Sequence, residues 1–159
     1  MKRLVLPLLL FLSVSAASAQ PIVVVVRHAE KATNGGNDPD LAQSGRARAD
    51  TLARMLKDAG LTAIFTSEFK RTQETAAPTA TTLGITPTIV PAKDTAALVS
   101  KLRELKGNAL VVGHGDTIPN LVKALGIDTP VEIPDNDYTE LLVITLGDKA
   151  RLFRLHYPS

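Results

Sequence analysis

The sequence predicts an α/β fold: a three-layer α/β/α sandwich whose central sheet is mostly parallel with an antiparallel edge strand. Three observations carry this prediction. Residues 22–26 (Ile-Val-Val-Val-Val) and 109–112 (Ala-Leu-Val-Val) are unbroken apolar runs, the composition of strands buried on both faces. Strands and segments of helical apolar spacing alternate along the chain, as parallel sheets require. The last two apolar runs, 141–146 and 151–156, flank Gly147-Asp148, a hairpin signal that makes them antiparallel neighbours.

The first strand ends at Arg27-His28. Residues 34–40 (Asn-Gly-Gly-Asn-Asp-Pro-Asp) cannot hold regular structure and are expected to form a mobile loop. Ser44 offers an N-cap to a helix in which Leu52, Met55, Leu56 and Ala59 recur until Gly60 stops it. A short strand at 63–66 follows. Residues 70–83 read as a second helix ended by Gly84, with Pro78 inside it costing a hydrogen bond and bending it. Ile89-Val90 is a weak strand, and Asp94 caps a third helix with the stripe Leu98, Leu102 and Leu105. After the strand at 109–112, Ile118, Leu121, Val122 and Leu125 form the face of a fourth helix closed by Gly126. A connection rich in Pro and acidic residues, 128–137, leads to the final hairpin.

At 159 residues, 45% of them apolar, the chain is one domain with a real core. Aromatics reach 4% with no Trp, which speaks against nucleic acid gripped by base stacking. Lys and Arg number 18 against 16 Asp and Glu; without Lys2 and Arg3 the charges balance, so no basic patch for nucleic acid or an anionic membrane is implied. The absence of Cys removes disulfides, thiolate nucleophiles and Cys-ligated metals together. Lys2 and Arg3, the apolar run 4–12 and the small-residue stretch ending Ala17-Ser18-Ala19 read as a cleavable signal peptide, residues 1–19, cut before Gln20. The run is too short to span a bilayer. The domain at 20–159 is then expected to be secreted or periplasmic, with no membrane span after processing.

In a parallel sheet, ligands bind beyond the carboxyl ends of the strands. Arg27, His28 and Glu30 follow the first strand, Thr66, Ser67 and Arg71 the second, and His114 and Asp116 the fourth. Two guanidiniums and two imidazoles converging without a compact carboxylate cluster make an anion site, since Arg matches phosphate oxygens and imidazole can bind or attack phosphorus. Either His alone would read as a satisfied core residue; their pairing with two Arg at strand ends argues otherwise.

These residues also resemble a known family. Arg27-His28-Ala29-Glu30 is similar to the Arg-His-Gly-Glu signature of the histidine phosphatase superfamily (phosphoglycerate mutase-like fold, branch 1), and the chain's size to its small SixA-like members. The segments 41–47 (Leu-Ala-Gln-Ser-Gly-Arg-Ala), 66–76 (Thr-Ser-Glu-Phe-Lys-Arg-Thr-Gln-Glu-Thr-Ala) and 112–116 (Val-Gly-His-Gly-Asp) match further elements in order and spacing, with Arg46 and Ala47 departing slightly in phase. The resemblance implies that His28 is the nucleophile, phosphorylated and then hydrolysed, and that Arg27, Arg71 and His114 hold the phosphate oxygens. It implies no metal and no cofactor. An attacking imidazole must be neutral at its attacking nitrogen, and a carbonyl or carboxylate on the other nitrogen would fix the tautomer.

Three carboxylates compete as the acid that protonates the leaving oxygen: Glu30, Asp94 and Asp116. A good leaving group, such as a phosphoramidate's, needs no dedicated acid. Ser67 and Thr117 fit phosphate contacts and helix caps equally well. Lys31 and Lys70 read as solvated cations, His156 as a residue without a role, and the Asp135-Asn136-Asp137 cluster lacks the Gly and distal Glu of an EF-hand. The expected partner is a small phosphorylated substrate or a phosphorylated envelope component. A phosphate-binding module without turnover is the rival from another class, and a mutase is disfavoured because so short a chain leaves little for a substrate-enclosing insertion.

Overall fold

The computed structural model describes residues 20–158, so the signal-peptide reading of residues 1–19 lies outside the described residues. The elements are β1 (Ile22–Arg27), α1 (Gln43–Leu56), β2 (Leu61–Thr66), α2 (Lys70–Leu83), β3 (Thr88–Ile89), α3 (Thr95–Arg103), β4 (Asn108–Gly113), α4 (Thr117–Ala124), β5 (Glu140–Thr145) and β6 (Arg151–His156). They form one sheet in the order β3-β2-β4-β1-β5-β6. β3, β2, β4 and β1 are parallel neighbours, β5 runs antiparallel to β1, and β6 antiparallel to β5. The antiparallel edge therefore comprises two strands rather than one. No helix among the described residues is long and apolar enough to cross a membrane.

Because successive strand residues face opposite sides, the run 23–26 splits between two cores. Val23 and Val25 join Phe65, Val111, Leu142 and the stripes of α3 and α4 (Val99, Leu102, Ile118, Leu121). Val24 and Val26 join Ile64, Leu110, Val112 and the stripes of α1 and α2 (Leu52, Leu56, Ala76, Ala80). Burial on both faces is what an unalternating β-branched sequence demands, and it accounts for the three layers. The neighbours β1 and β4 thus lead into helices on opposite faces, α1 and α4, the kind of reversal beyond which parallel sheets bind ligands.

Several local expectations shift. Ser44 does not cap α1; Ala42 occupies the cap position and makes no side-chain bond. The helix start is set instead by docking: Ala42 N–H donates to the Glu30 carbonyl (2.8 Å), and a Cβ at Gly45 would collide with that oxygen. Met55 is 47% exposed and lies off the core stripe. β3 falls at 88–89, one residue earlier than expected, with Val90 N–H donating to Thr66 O just beyond it (2.8 Å). Asp94 does cap α3, accepting from Ala97 N–H (2.9 Å). α2 continues through Pro78 and ends at Gly84 in the left-handed conformation (φ 65°), where a side chain would be strained. The loop 34–40 is tied down at its end: Asp38 accepts from Lys70 N–H (3.1 Å) and Asp40 pairs with Lys70 Nζ (3.2 Å).

Candidate active site

The order β2-β4-β1 places three parallel strand ends side by side, in register through Arg27 opposite Gly113 and Thr66 opposite Val112. His28, one residue past β1, donates its backbone N–H to Gly113 O (2.9 Å), and His114 follows Gly113. Their rings meet at 5.4 Å between centroids, inclined by 62°. Arg27, His28, Ser67 and His114 are each less than a tenth exposed.

His28 Nδ1 lies 2.8 Å from the carbonyl oxygen of Ala29. A carbonyl only accepts, so Nδ1 carries the proton and Nε2 keeps its lone pair. Burial is the largest influence on this ring and disfavours the cation; the Ala29 bond opposes it, and the charges of His114, Arg27 and Arg71 add to it, taking the pKa down to about 4 from 6.5. The imidazole is therefore neutral at pH 7, with its free nitrogen on the side opposite the carbonyl bond.

His114 is held through side chains. Its Nε2 is 2.9 Å from Ser67 Oγ, which is 2.9 Å from Thr72 Oγ1. The Thr72 hydroxyl donates to Phe69 O (2.8 Å), which leaves Ser67 to donate to Thr72 and to accept from His114 Nε2–H. The Phe69 ring stands edge-on to His114 at 5.3 Å. Burial again dominates; Arg71 adds to it while Asp116 and Glu68 oppose it, and the pKa falls to about 4.

The Arg27 guanidinium donates through Nη1 to the carbonyls of Pro134 (2.8 Å) and Asp137 (3.2 Å) and lies 4.6 Å from the centre of the Tyr138 ring. Its Nε is buried and has no partner among the described residues, an unspent donor at the strand tip. Arg71 covers the Phe69 ring at 4.3 Å and faces Asp38 at 3.5 Å. The 128–137 connection, read as a mere linker, thus supplies the backbone that aims Arg27.

The carboxylates separate clearly. Glu30 is held by Arg48, with Nε at 3.0 and 2.9 Å from its two oxygens and Nη2 at 2.7 Å from Oε1. Burial works against its charge, but these bonds outweigh it and keep the carboxyl below the usual range. Asp94 is occupied by its cap. Asp116 is exposed, makes no capping bond, and lines an open cleft with Glu68, Arg71, His114 and Asn120. Glu68 was not singled out from sequence; its Oε2 accepts from Ala92 N–H (2.8 Å). Ser67 orients His114, and Thr117 Oγ1 accepts from His114 N–H (3.1 Å), so both act first within the protein. Lys70 pairs with Asp40, Lys31 is exposed, and His156 lies at the surface beside Thr139 (3.1 Å). Among the described residues, no group of three or more His, Asp or Glu is placed to hold a metal ion.

Sequence reasoning also missed Arg48, Asp38, Tyr138 and Tyr157. A signal for Arg48 was present: extending the Leu52 and Leu56 stripe back by one turn lands on it, a cation on an otherwise apolar face.

A model of the histidine phosphatase superfamily (branch 1) matches residues 23–94, which carry His28 and Arg71. No curated protein matches the chain. Among solved structures, the protein histidine phosphatase SixA complexed with tungstate superposes with a TM-score of 0.72 at 20% identity, over 85% of this chain and 96% of that one. A mycobacterial glucosyl-3-phosphoglycerate phosphatase gives 0.70 at 16% identity, over 87% and 100%. An Escherichia coli protein assigned as an alpha-ribazole-5'-P phosphatase gives 0.72 at 16%, over 88% and 98%. At these identities the likenesses establish the fold.

Proposed function

We propose that this chain, which belongs to the histidine phosphatase superfamily, is a phosphatase that works through a phosphohistidine at His28. The observation that carries the reading is the 2.8 Å bond from His28 Nδ1–H to Ala29 O, which leaves a neutral Nε2 beside two guanidiniums and a second imidazole. The solved neighbours that act on small phosphorylated molecules support it.

In the first step Nε2 attacks phosphorus, a P–N bond forms and the bond to the leaving group breaks. Arg27, with its unspent Nε–H, and Arg71 take the non-bridging oxygens and offset the charge spread over them, and His114, whose Nε2–H is given to Ser67, joins them by taking up a proton on Nδ1 beside the bound phosphate. The leaving oxygen takes its proton from Asp116, since Glu30 is committed to Arg48 and Asp94 to its helix. A phosphoramidate's leaving nitrogen needs less help. In the second step the Asp116 carboxylate takes a proton from water as the water oxygen attacks phosphorus, the P–N bond breaks, and inorganic phosphate leaves with His28 neutral and Asp116 protonated again. The positive charge comes from arginine, so the scheme uses no metal or cofactor.

The substrate class is a phosphomonoester or phosphoramidate, including a phosphorylated envelope component, met outside the cytoplasm. Amino-terminal sequencing of the exported protein should begin at Gln20; retention of residues 1–19 on a cytoplasmic protein would remove that location. For the chemistry, incubation with a labelled phosphoryl donor and an alkaline quench should leave label on His28, because phosphohistidine survives base and is lost in acid. A folded preparation that binds phosphate but acquires no label would be a binding module instead.

A further inference from the structure

The nucleophile loop is restrained from three sides. Ala29 N–H donates to Thr75 Oγ1 of α2 (2.9 Å), Glu30 O accepts from Ala42 at the start of α1 (2.8 Å), and Gly45 lets α1 press against the Glu30 backbone. These contacts fix where the loop lies. The Ala29–Glu30 peptide, whose carbonyl accepts the hydrogen bond from His28 Nδ1–H, is further anchored by the Glu30 side chain. That anchor is Arg48, 6% exposed, which grips both carboxylate oxygens and turns its remaining nitrogen, Nη1, to the carbonyl of Tyr157 (3.1 Å). Tyr157 lies 109 residues further along, past the end of β6. Its ring is buried with Arg48 5.5 Å from its centre, and its N–H donates to Thr139 O (2.9 Å). A bidentate ion pair whose guanidinium is buried and tied to a backbone carbonyl is a rigid fixture.

The consequence reaches the reacting nitrogen. An imidazole whose Nδ1–H loses its acceptor populates both tautomers, and the form protonated at Nε2 has no lone pair there with which to attack. We propose that Arg48, clamped between the Glu30 carboxylate and the Tyr157 carbonyl, is a positioning residue that keeps the Ala29 carbonyl on His28 Nδ1, making the carboxyl-terminal tail part of the catalytic apparatus. The kinetic side of this rests on the phosphohistidine reading; the tautomer side does not.

The test compares the full chain with Arg48→Gln and Arg48→Lys, using Arg54→Ala on the exposed face of α1 as a control. ¹⁵N NMR at pH 7 should show His28 in the Nδ1–H form in the unsubstituted protein and in Arg54→Ala, and a mixture in Arg48→Gln. For an aryl phosphate, kcat of Arg48→Gln should fall about tenfold or more, while KM and the affinity for inorganic phosphate stay within about threefold. Arg48→Lys, which keeps the charge without the fork, should fall between. A His28 that remains wholly Nδ1–H in Arg48→Gln, or an unchanged kcat, overturns the proposal. If Arg48→Gln does not fold, Arg48→Lys decides: a partial shift supports the proposal, and an unshifted tautomer with unchanged kcat overturns it. If the unsubstituted protein takes no phosphoryl group, the functional reading fails while the tautomer comparison still decides this one.

Discussion

The two histidines stand on neighbouring strand tips, yet they are held by different means. His28 itself bonds only to backbone, its N–H to Gly113 O and its ring to Ala29 O, while its loop is pinned to α1 and α2 through Ala42 N–H, the Thr75 hydroxyl and the Arg48–Glu30 pair. His114 is held by a relay of side chains, Ser67 and Thr72, and its flank is a cleft edged by the exposed residues Glu68, Asp116 and Asn120. On the proposed reading His28 must meet phosphorus at one distance and angle, which this close restraint supplies. A leaving group varies between substrates, and side chains at an open cleft accommodate that variation. Rigidity on one side and adaptability on the other are what a phosphatase with a fixed first step needs.

The largest break in this comparison is His28→Ala, which should lower hydrolysis of an aryl phosphate by about 10⁴-fold or more with an unchanged circular dichroism spectrum. Full turnover would remove His28 from its role. Arg71→Ala, which strips a guanidinium from the His114 side, should cost about 10²- to 10³-fold in kcat/KM and weaken inhibition by inorganic phosphate. A loss below threefold would place Arg71 outside the site. Asp116→Asn should be selective, slowing an alkyl phosphate by about tenfold to a hundredfold while changing a nitrophenyl phosphate by less than about twofold. Equal effects on the two would deny Asp116 the role of acid.

The smallest effects are in pH. Both rings titrate near 6.5 when unfolded and near about 4 in the fold, so between these values the unfolded chain binds protons that the native state excludes. Their contribution to stability is full above about pH 6.5 and is lost as pH falls toward 4. The melting temperature should drop over that window, less steeply in His28→Gln. The free enzyme's kcat/KM should show no inflection near 6.5 from His28 and should fall only toward pH 4.

Much of the site could be read from sequence, for physical reasons that vary by residue. Arg27, His28 and His114 follow unbroken apolar runs, and a strand buried on both faces leaves only its tip for polar groups, so their location followed from hydrophobicity. Arg71 needed the motif as well, because it lies inside a helix, on the second residue of α2. The acceptor for His28 is a backbone carbonyl, which no residue type announces. Arg48 meets Glu30, 18 residues before it, and Tyr157, 109 residues after it, contacts that local pattern does not encode. The start of α1 was misplaced by two residues because docking against Glu30, rather than a hydroxyl cap, sets it. Tyr138 and the loop carbonyls that aim Arg27 come from a segment whose Pro and acidic content said only that it was irregular.

Nε2 of His28 is the nitrogen expected to react. Trapping the phosphorylated protein at alkaline pH, digesting it and locating the phosphoryl group by ³¹P–¹⁵N coupling tests it directly. Phosphorus bonded to Nε2 of His28 is the result this account predicts; phosphorus on Nδ1 of His28, or on His114, would contradict it.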